Sequence, residues 1–296
     1  MQIVYLTKTG FAAATALALF ASPVLAVPTM RPANVVNLHT GQPVATVVVP
    51  DVAVDSSDAI VSLGFARDPS SGREVQGFAI IHYKNGYARS GGAAKDLSAS
   101  CYGFLAKGAR WKAAESYALQ GHWEFVSDAT ASGTWTYVYD FNTSAVARDL
   151  ETWDSQVAFN VFAEQDTTPE VVNGADTVAP DGHNEMMWGD VSSPGAIAVT
   201  IVWGIFYGPP SGRELVEWDM VFDNVDFPNW GDATVDFSVM DFENIAIHEL
   251  GHSAGLADLY TGQCSEQTMY GYASYGETKK RDLGVGDING IKALYK

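Results

Sequence analysis

The 296-residue chain carries 35 Asp and Glu against 17 Lys and Arg, a formal charge of −18, and 47% of its residues are hydrophobic. That apolar share supports a packed core rather than a disordered chain, and the length accommodates one substantial domain plus a smaller one. The acidity excludes a basic, phosphate-tracking face, so nucleic acid is not an expected partner, and the charge reads as a solvated, self-repelling surface.

In chain order, the first 26 residues stand apart. Lys8 precedes an apolar run over residues 11–20, and Pro23-Val24-Leu25-Ala26 follows as a small-residue cleavage pattern. Ser22 and Pro23 interrupt the run before the roughly 20 apolar residues of a membrane span accumulate. The segment reads as an export signal cleaved after Ala26, with an uncleaved anchor as the alternative. The mature chain is then expected to be secreted and free of membrane. Cys101 and Cys264 fit an oxidising route, where an even count suggests one bridge and two free thiols are the alternative.

Residues 45–49 (ATVVV) and 78–83 (FAIIHY) are β-type runs, and residues 90–100 have linker composition. Residues 27–104 are therefore expected to form a small β-rich pro-segment or accessory region, and residues 105–296 the main domain. Ser-Gly-Arg-Glu occurs at 71–74 and 211–214 and reads as two turns that launch strands rather than a repeat. Strands are predicted at 133–141, 196–203 and 215–222. A helix is predicted from Thr143 or Ser144, with Val146, Leu150, Trp153 and Val157 on one face. A second helix should run from an Asp241 cap to about Ala254, and a last one from near Asp287 with Ile288, Ile291 and Leu294 at helical spacing. This order of elements is that of an α+β fold with one sheet packed by helices.

Chemistry concentrates in His248-Glu249-Leu250-Gly251-His252-Ser253-Ala254-Gly255-Leu256-Ala257-Asp258. Histidines at i and i+4 lie one turn apart on a helix face and can share one metal ion, while Glu249 points a quarter turn away. Nitrogen ligands to hold zinc and a carboxylate to take a proton from water need that spacing. Gly255 can end the helix in the left-handed conformation, so that Asp258 swings back as a third ligand; a loop aspartate bonded to nearby backbone is the alternative. Glu266 and Glu277 are the other carboxylates weighed as third ligand, and both lie in turn-rich sequence. Asp181, Asn184 and Asp190 belong to an oxygen-rich stretch that is either a calcium (Ca2+) site or a surface turn. His39, His82 and His122 have no partner in the sequence and read as ordinary residues.

The run HELGHSAGLAD followed by Thr268-Met269-Tyr270-Gly271-Tyr272 resembles the metzincin zinc metallopeptidases. Residues 286–295 (GDINGIKALY) look like the end of a matrixin catalytic domain, and the resemblance covers roughly residues 105–296. It implies a metzincin-like catalytic domain: a twisted, mostly parallel sheet with an antiparallel edge strand, a zinc helix, a methionine turn and a C-terminal helix. It further implies one catalytic Zn2+ on His248, His252 and Asp258, with Glu249 as catalytic base. Met269 would lie beneath the metal, and Tyr270, Gly271 and Tyr272 would wall the pocket for the side chain just after the scissile bond. Residues 196–202 would be the edge against which an extended protein or peptide substrate lies. Matrixin-like domains also carry structural calcium.

Three departures stand out. The third ligand is aspartate, which resembles the snapalysin type; Gly286 rather than a second acid precedes Asp287; and Cys101 lacks the setting of a matrixin cysteine switch, which remains a third reading of that residue. A non-catalytic zinc-binding secreted protein of the same fold is the rival reading, and Glu249 speaks against it. No feature sets an oligomeric state, and a monomer is assumed.

Overall fold

A computed structural model describes residues 46–47, 59–87, 100–119, 126–127, 135–136, 143–166 and 174–296. The expected export signal, the linker and most of the predicted strand at 133–141 lie outside these residues. The labelled strands are β1 (Ile60–Arg67), β2 (Glu74–Lys84), β3 (Glu115–Leu119), β4 (Phe162–Asp166), β5 (Glu185–Val191), β6 (Ala196–Ile205), β7 (Glu214–Asp223) and β8 (Tyr272–Ala273). The helices are α1 (Thr143–Asp154), α2 (Phe242–Ser253) and α3 (Val285–Leu294).

One mixed sheet organises the fold in the order β8-β2-β6-β7-β5-β3-β4, with β1 paired to β2. The β4-β3-β5-β7 block is parallel, and β6 runs antiparallel to β7. The fold is thus the α+β, metzincin-like architecture expected. The outer edge of β6 carries β2, which pairs with it antiparallel from Gln76↔Gly204 to Tyr83↔Ala196. Both Ser-Gly-Arg-Glu turns do launch strands, β2 and β7.

Period-2 alternation in the central strands divides two apolar layers. Ile80, Val202, Trp218, Met220 and Phe222 pack towards the helices, whereas Val75, Ala79, Ile81, Ile201, Trp203 and Val221 form the layer on the opposite face. In the helical layer Trp153 of α1 donates from Nε1 to the Ile247 carbonyl (2.9 Å), and Trp111 donates to that of Ser253 (2.8 Å). These bonds pin α2 from two sides. Helix α1 ends at Asp154, short of Val157, which packs against the core from the following loop.

The stretch holding Asn184 and Asp190 is not a turn. Residues 185–191 form the interior strand β5, between β7 and β3, with Met186, Met187 and Trp188 buried. The acidic ends of the segment masked an apolar middle.

Candidate active site

Helix α2 starts where expected, because the Asp241 carboxylate accepts the Asn244 N–H (2.7 Å) at the N-cap. Arg281 holds the same carboxylate from outside. Every residue from Asn244 to Ser253 is buried, so α2 is a core helix, which fixes the direction of its polar side chains. It ends in a Schellman arrangement. Gly255 sits at φ 101°, its N–H bonds the His252 carbonyl (2.8 Å), and the Leu256 N–H bonds the Gly251 carbonyl (2.9 Å). The reversal brings Asp258 back over the helix.

Three atoms converge there. Asp258 Oδ1 lies 3.1 Å from His248 Nε2 and 3.4 Å from His252 Nε2. Ligand atoms held at zinc distances around a tetrahedral centre lie about 3.3 Å apart, so the spacing fits that ion. All three atoms are buried with no hydrogen-bond partner, an arrangement that is costly unless a cation fills it. The other ring nitrogens are engaged: His248 Nδ1 donates to the Thr268 carbonyl (2.6 Å) and His252 Nδ1 to that of Leu256 (3.0 Å). Those bonds select the tautomer that leaves each Nε2 lone pair facing Asp258. Tyr260 donates to the second Asp258 oxygen (2.9 Å).

The charges follow. Burial, then the Lys280 ammonium, pushes His248 down to about 3. Burial also disfavours charge on His252, but Asp258 prevails and raises its pKa. Burial works upward on Asp258, yet the imidazoles of His252 and His248 beside it hold it well below the usual carboxylate range.

Glu249 stands beside this group rather than in it. Its carboxylate is wholly buried, accepting from Thr200 Oγ1 of β6 (2.5 Å) and contacting His82 Nδ1 of β2 (3.0 Å). Burial pushes it up to about 7. Beneath the helix, Met269 occupies the space left by Gly251, where a Cβ would run into its sulfur. Tyr272 pairs with Tyr83 of β2, and its ring lies 5.7 Å from that of Tyr270 and 5.3 Å from that of Tyr260. Cys101 and Cys264 are joined in a disulfide that ties the entry of the main domain to the loop before Met269.

Two residues escaped the sequence reading. His82 is fully buried, with its ring centroid 3.9 Å from that of His248. Lys280 is also fully buried, 3.2 Å from His82 Nε2, and donates to the Tyr270 carbonyl. A lysine can only donate, so His82 Nε2 accepts and Nδ1 carries the hydrogen towards Glu249. Only the alternation of Ile80 and His82 on one strand face hinted at this, and nothing in the sequence named the surface opposite.

The three residues considered for calcium are not brought together. Asp181 lies with Asp176 and Glu217, ligand atoms within 4.8 Å of one another. The Asn184 side chain is occupied by Trp218 N (2.9 Å) and the Ser116 carbonyl (2.8 Å). Asp190 lies five residues along β5 from Glu185, about 16 Å away at strand rise.

The fold and the site define a metzincin-like catalytic domain, and the comparisons agree. The Matrixin family of M10 peptidases matches residues 129–296, and the chain belongs to that family. It is 31% identical over 158 residues to Metalloendoproteinase 1 of Glycine max, a match covering 51% of this chain and 45% of that protein. The chain thus matches less than half the length of this relative.

Proposed function

We propose that the chain is a secreted zinc-dependent endopeptidase, with His248, His252 and Asp258 as metal ligands and Glu249 as general base. The observation that carries this reading is the convergence of three buried, unpartnered ligand atoms beside a buried carboxylate. The aspartate makes the ligand set snapalysin-like within a matrixin domain. Zinc, when bound, supplies a Lewis acid that polarises water and the scissile carbonyl. Glu249 takes a proton from the attacking water and delivers it to the leaving amine, for which a pKa raised towards neutrality suits it. Thr200 fixes the carboxylate in place, and Met269 supports the histidines from below. Tyr270, Gly271 and Tyr272 wall the pocket for the side chain after the scissile bond. Residues 1–26 are the export signal and residues 27–104 the pro-segment. Among the described residues no helix is long and apolar enough to cross a membrane.

The test is zinc stoichiometry with peptide hydrolysis, before and after chelation. One zinc per chain and chelator-sensitive endoproteolysis are expected. A chain that binds no zinc at neutral pH would refute the ligand set, and full zinc with full activity in Asp258→Ala would refute the third ligand.

A further inference from the structure

Asp258 differs from the two histidines in how many atoms it can offer a metal. An imidazole whose other nitrogen is engaged presents one lone pair, whereas a carboxylate presents two oxygens. In this chain the two oxygens have different surroundings. Oδ1 is buried without a hydrogen-bond partner and faces both Nε2 atoms, 3.1 Å from that of His248 and 3.4 Å from that of His252. Oδ2 accepts from the Tyr260 hydroxyl at 2.9 Å. An ionised carboxylate can only accept, so the phenol is the donor and its hydrogen points at Oδ2.

Local backbone puts the ring there. Directly after Asp258 the chain pairs with the methionine turn: the Leu259 N–H bonds the Met269 carbonyl (2.8 Å), and the Gly271 N–H bonds that of Leu259 (2.9 Å). Tyr260 therefore emerges beside Gly271, where a Cβ would run into its ring. The Gly271 φ lies outside the left-handed region, so its backbone makes no demand for glycine. What Gly271 supplies is room. On the other side the Tyr272 ring lies 5.3 Å from that of Tyr260. The gap at 271 and the pairing of Leu259 together fix the direction of one hydroxyl.

Resting on the proposed function, in which Asp258 is the third ligand, we propose that Tyr260 is a positioning residue for the reaction. It holds Oδ2 turned away from the metal, so that Asp258 contributes a single oxygen. Three ligand atoms leave one coordination position for the attacking water, and a carboxylate bound through both oxygens would take it. Gly271 serves the same end by admitting the ring. The device belongs to an aspartate ligand, because an imidazole at 258 would have no second oxygen to restrain. The hydroxyl also orders the carboxylate before the metal arrives.

The test uses the full chain loaded with zinc or with cobalt(II), whose visible absorption weakens as its coordination number rises above four. Tyr260→Phe keeps the ring in its gap and removes only the hydroxyl. Zinc affinity, read by competition with a chromogenic chelator, should fall about 10–100-fold. The cobalt form should absorb more weakly, because the freed Oδ2 joins the metal. Gly271→Ala should reproduce the weaker absorption by displacing the ring. In an Asp258→Ala background, Tyr260→Phe should change zinc affinity no further. Wild-type affinity or a wild-type cobalt spectrum in Tyr260→Phe would overturn the inference. So would a loss of affinity that recurs in full in the Asp258→Ala background, since Tyr260 would then act through packing rather than through the carboxylate. Undiminished zinc affinity in Asp258→Ala alone is a different failure: it would refute the ligand set of the proposed function, and the inference with it.

Discussion

Asp287 ties the last helix to the metal-facing loop, and its removal should be felt at both ends. Its carboxylate is buried in the first turn of α3 and accepts the N–H of Thr268 (2.7 Å), Met269 (3.2 Å) and Gly284 (2.8 Å). Asp287→Ala leaves the first two donors buried without partners, at about 1–3 kcal/mol each, while the half-exposed Gly284 N–H can turn to water. Burial raises the Asp287 pKa despite these bonds, so part of the gain is already offset by desolvation. A net loss of about 3–5 kcal/mol of unfolding free energy follows. The effect should reach the metal, because the Thr268 carbonyl orients His248 and its N–H is one of those released. Loss of such a support typically weakens metal affinity about 10–100-fold. Urea unfolding of the metal-free protein measures the first quantity, and competition with a chromogenic chelator the second. A variant within 1 kcal/mol of wild type and with unchanged zinc affinity would show that the methionine turn holds its shape without α3.

Four further outcomes are expected. Glu249→Gln should keep zinc and fold while slowing peptide hydrolysis by roughly two to four orders of magnitude in the activated enzyme; near-normal turnover would remove Glu249 as the base. Asp258→Ala should leave zinc occupancy far below one per chain when measured against a competing chelator. Replacing Cys101 and Cys264 together by serine opens a link between residues 163 apart in sequence and should cost about 2–5 kcal/mol, read from denaturant midpoints; an unchanged midpoint would show the bridge to be dispensable. Glu217 is pushed up to about 9 by burial, with Asp176 and Asp181 adding to the rise, so it holds a proton in the folded chain that the unfolded chain releases above about pH 4.5. Its contribution to stability is complete below that pH and is lost as pH rises through about 9, so the melting temperature in chelating buffer should fall across this window and Glu217→Gln should flatten the slope. An equal slope in the variant would place the dependence elsewhere.

What the sequence disclosed was set by how locally each feature is determined. The cap at Asp241, the ligands at 248 and 252, the reversal at Gly255 and the return of Asp258 lie within eighteen residues. Each follows from a backbone rule that operates over one or two turns. Strands β6 and β7 were legible because both bury long β-branched and aromatic runs. Strand β5 was not, because Glu185 and Asp190 bracket Met186–Trp188 and the composition of the ends outweighed that of the middle. Lys280 sits between Lys279 and Arg281, and a run of three cations reads as a solvated face. Its burial is decided by Tyr270 and His82, which no local pattern brings near. The β1–β2 hairpin is the sharpest case. Strand β2 was legible over residues 78–83 whereas β1 was not predicted, and pairing across more than a hundred residues has no local signature, so the partner of β2 could not be read. Strand pairing also explains why this miss falls on function. An open strand edge beside a catalytic group is the surface a peptide needs, and it is equally the surface that any spare strand of the same chain will cover. A protease that binds substrate backbone in this way must contend with its own β-rich segments as competitors. Here the strand on that edge also brings a side chain, His82, to the Glu249 carboxylate.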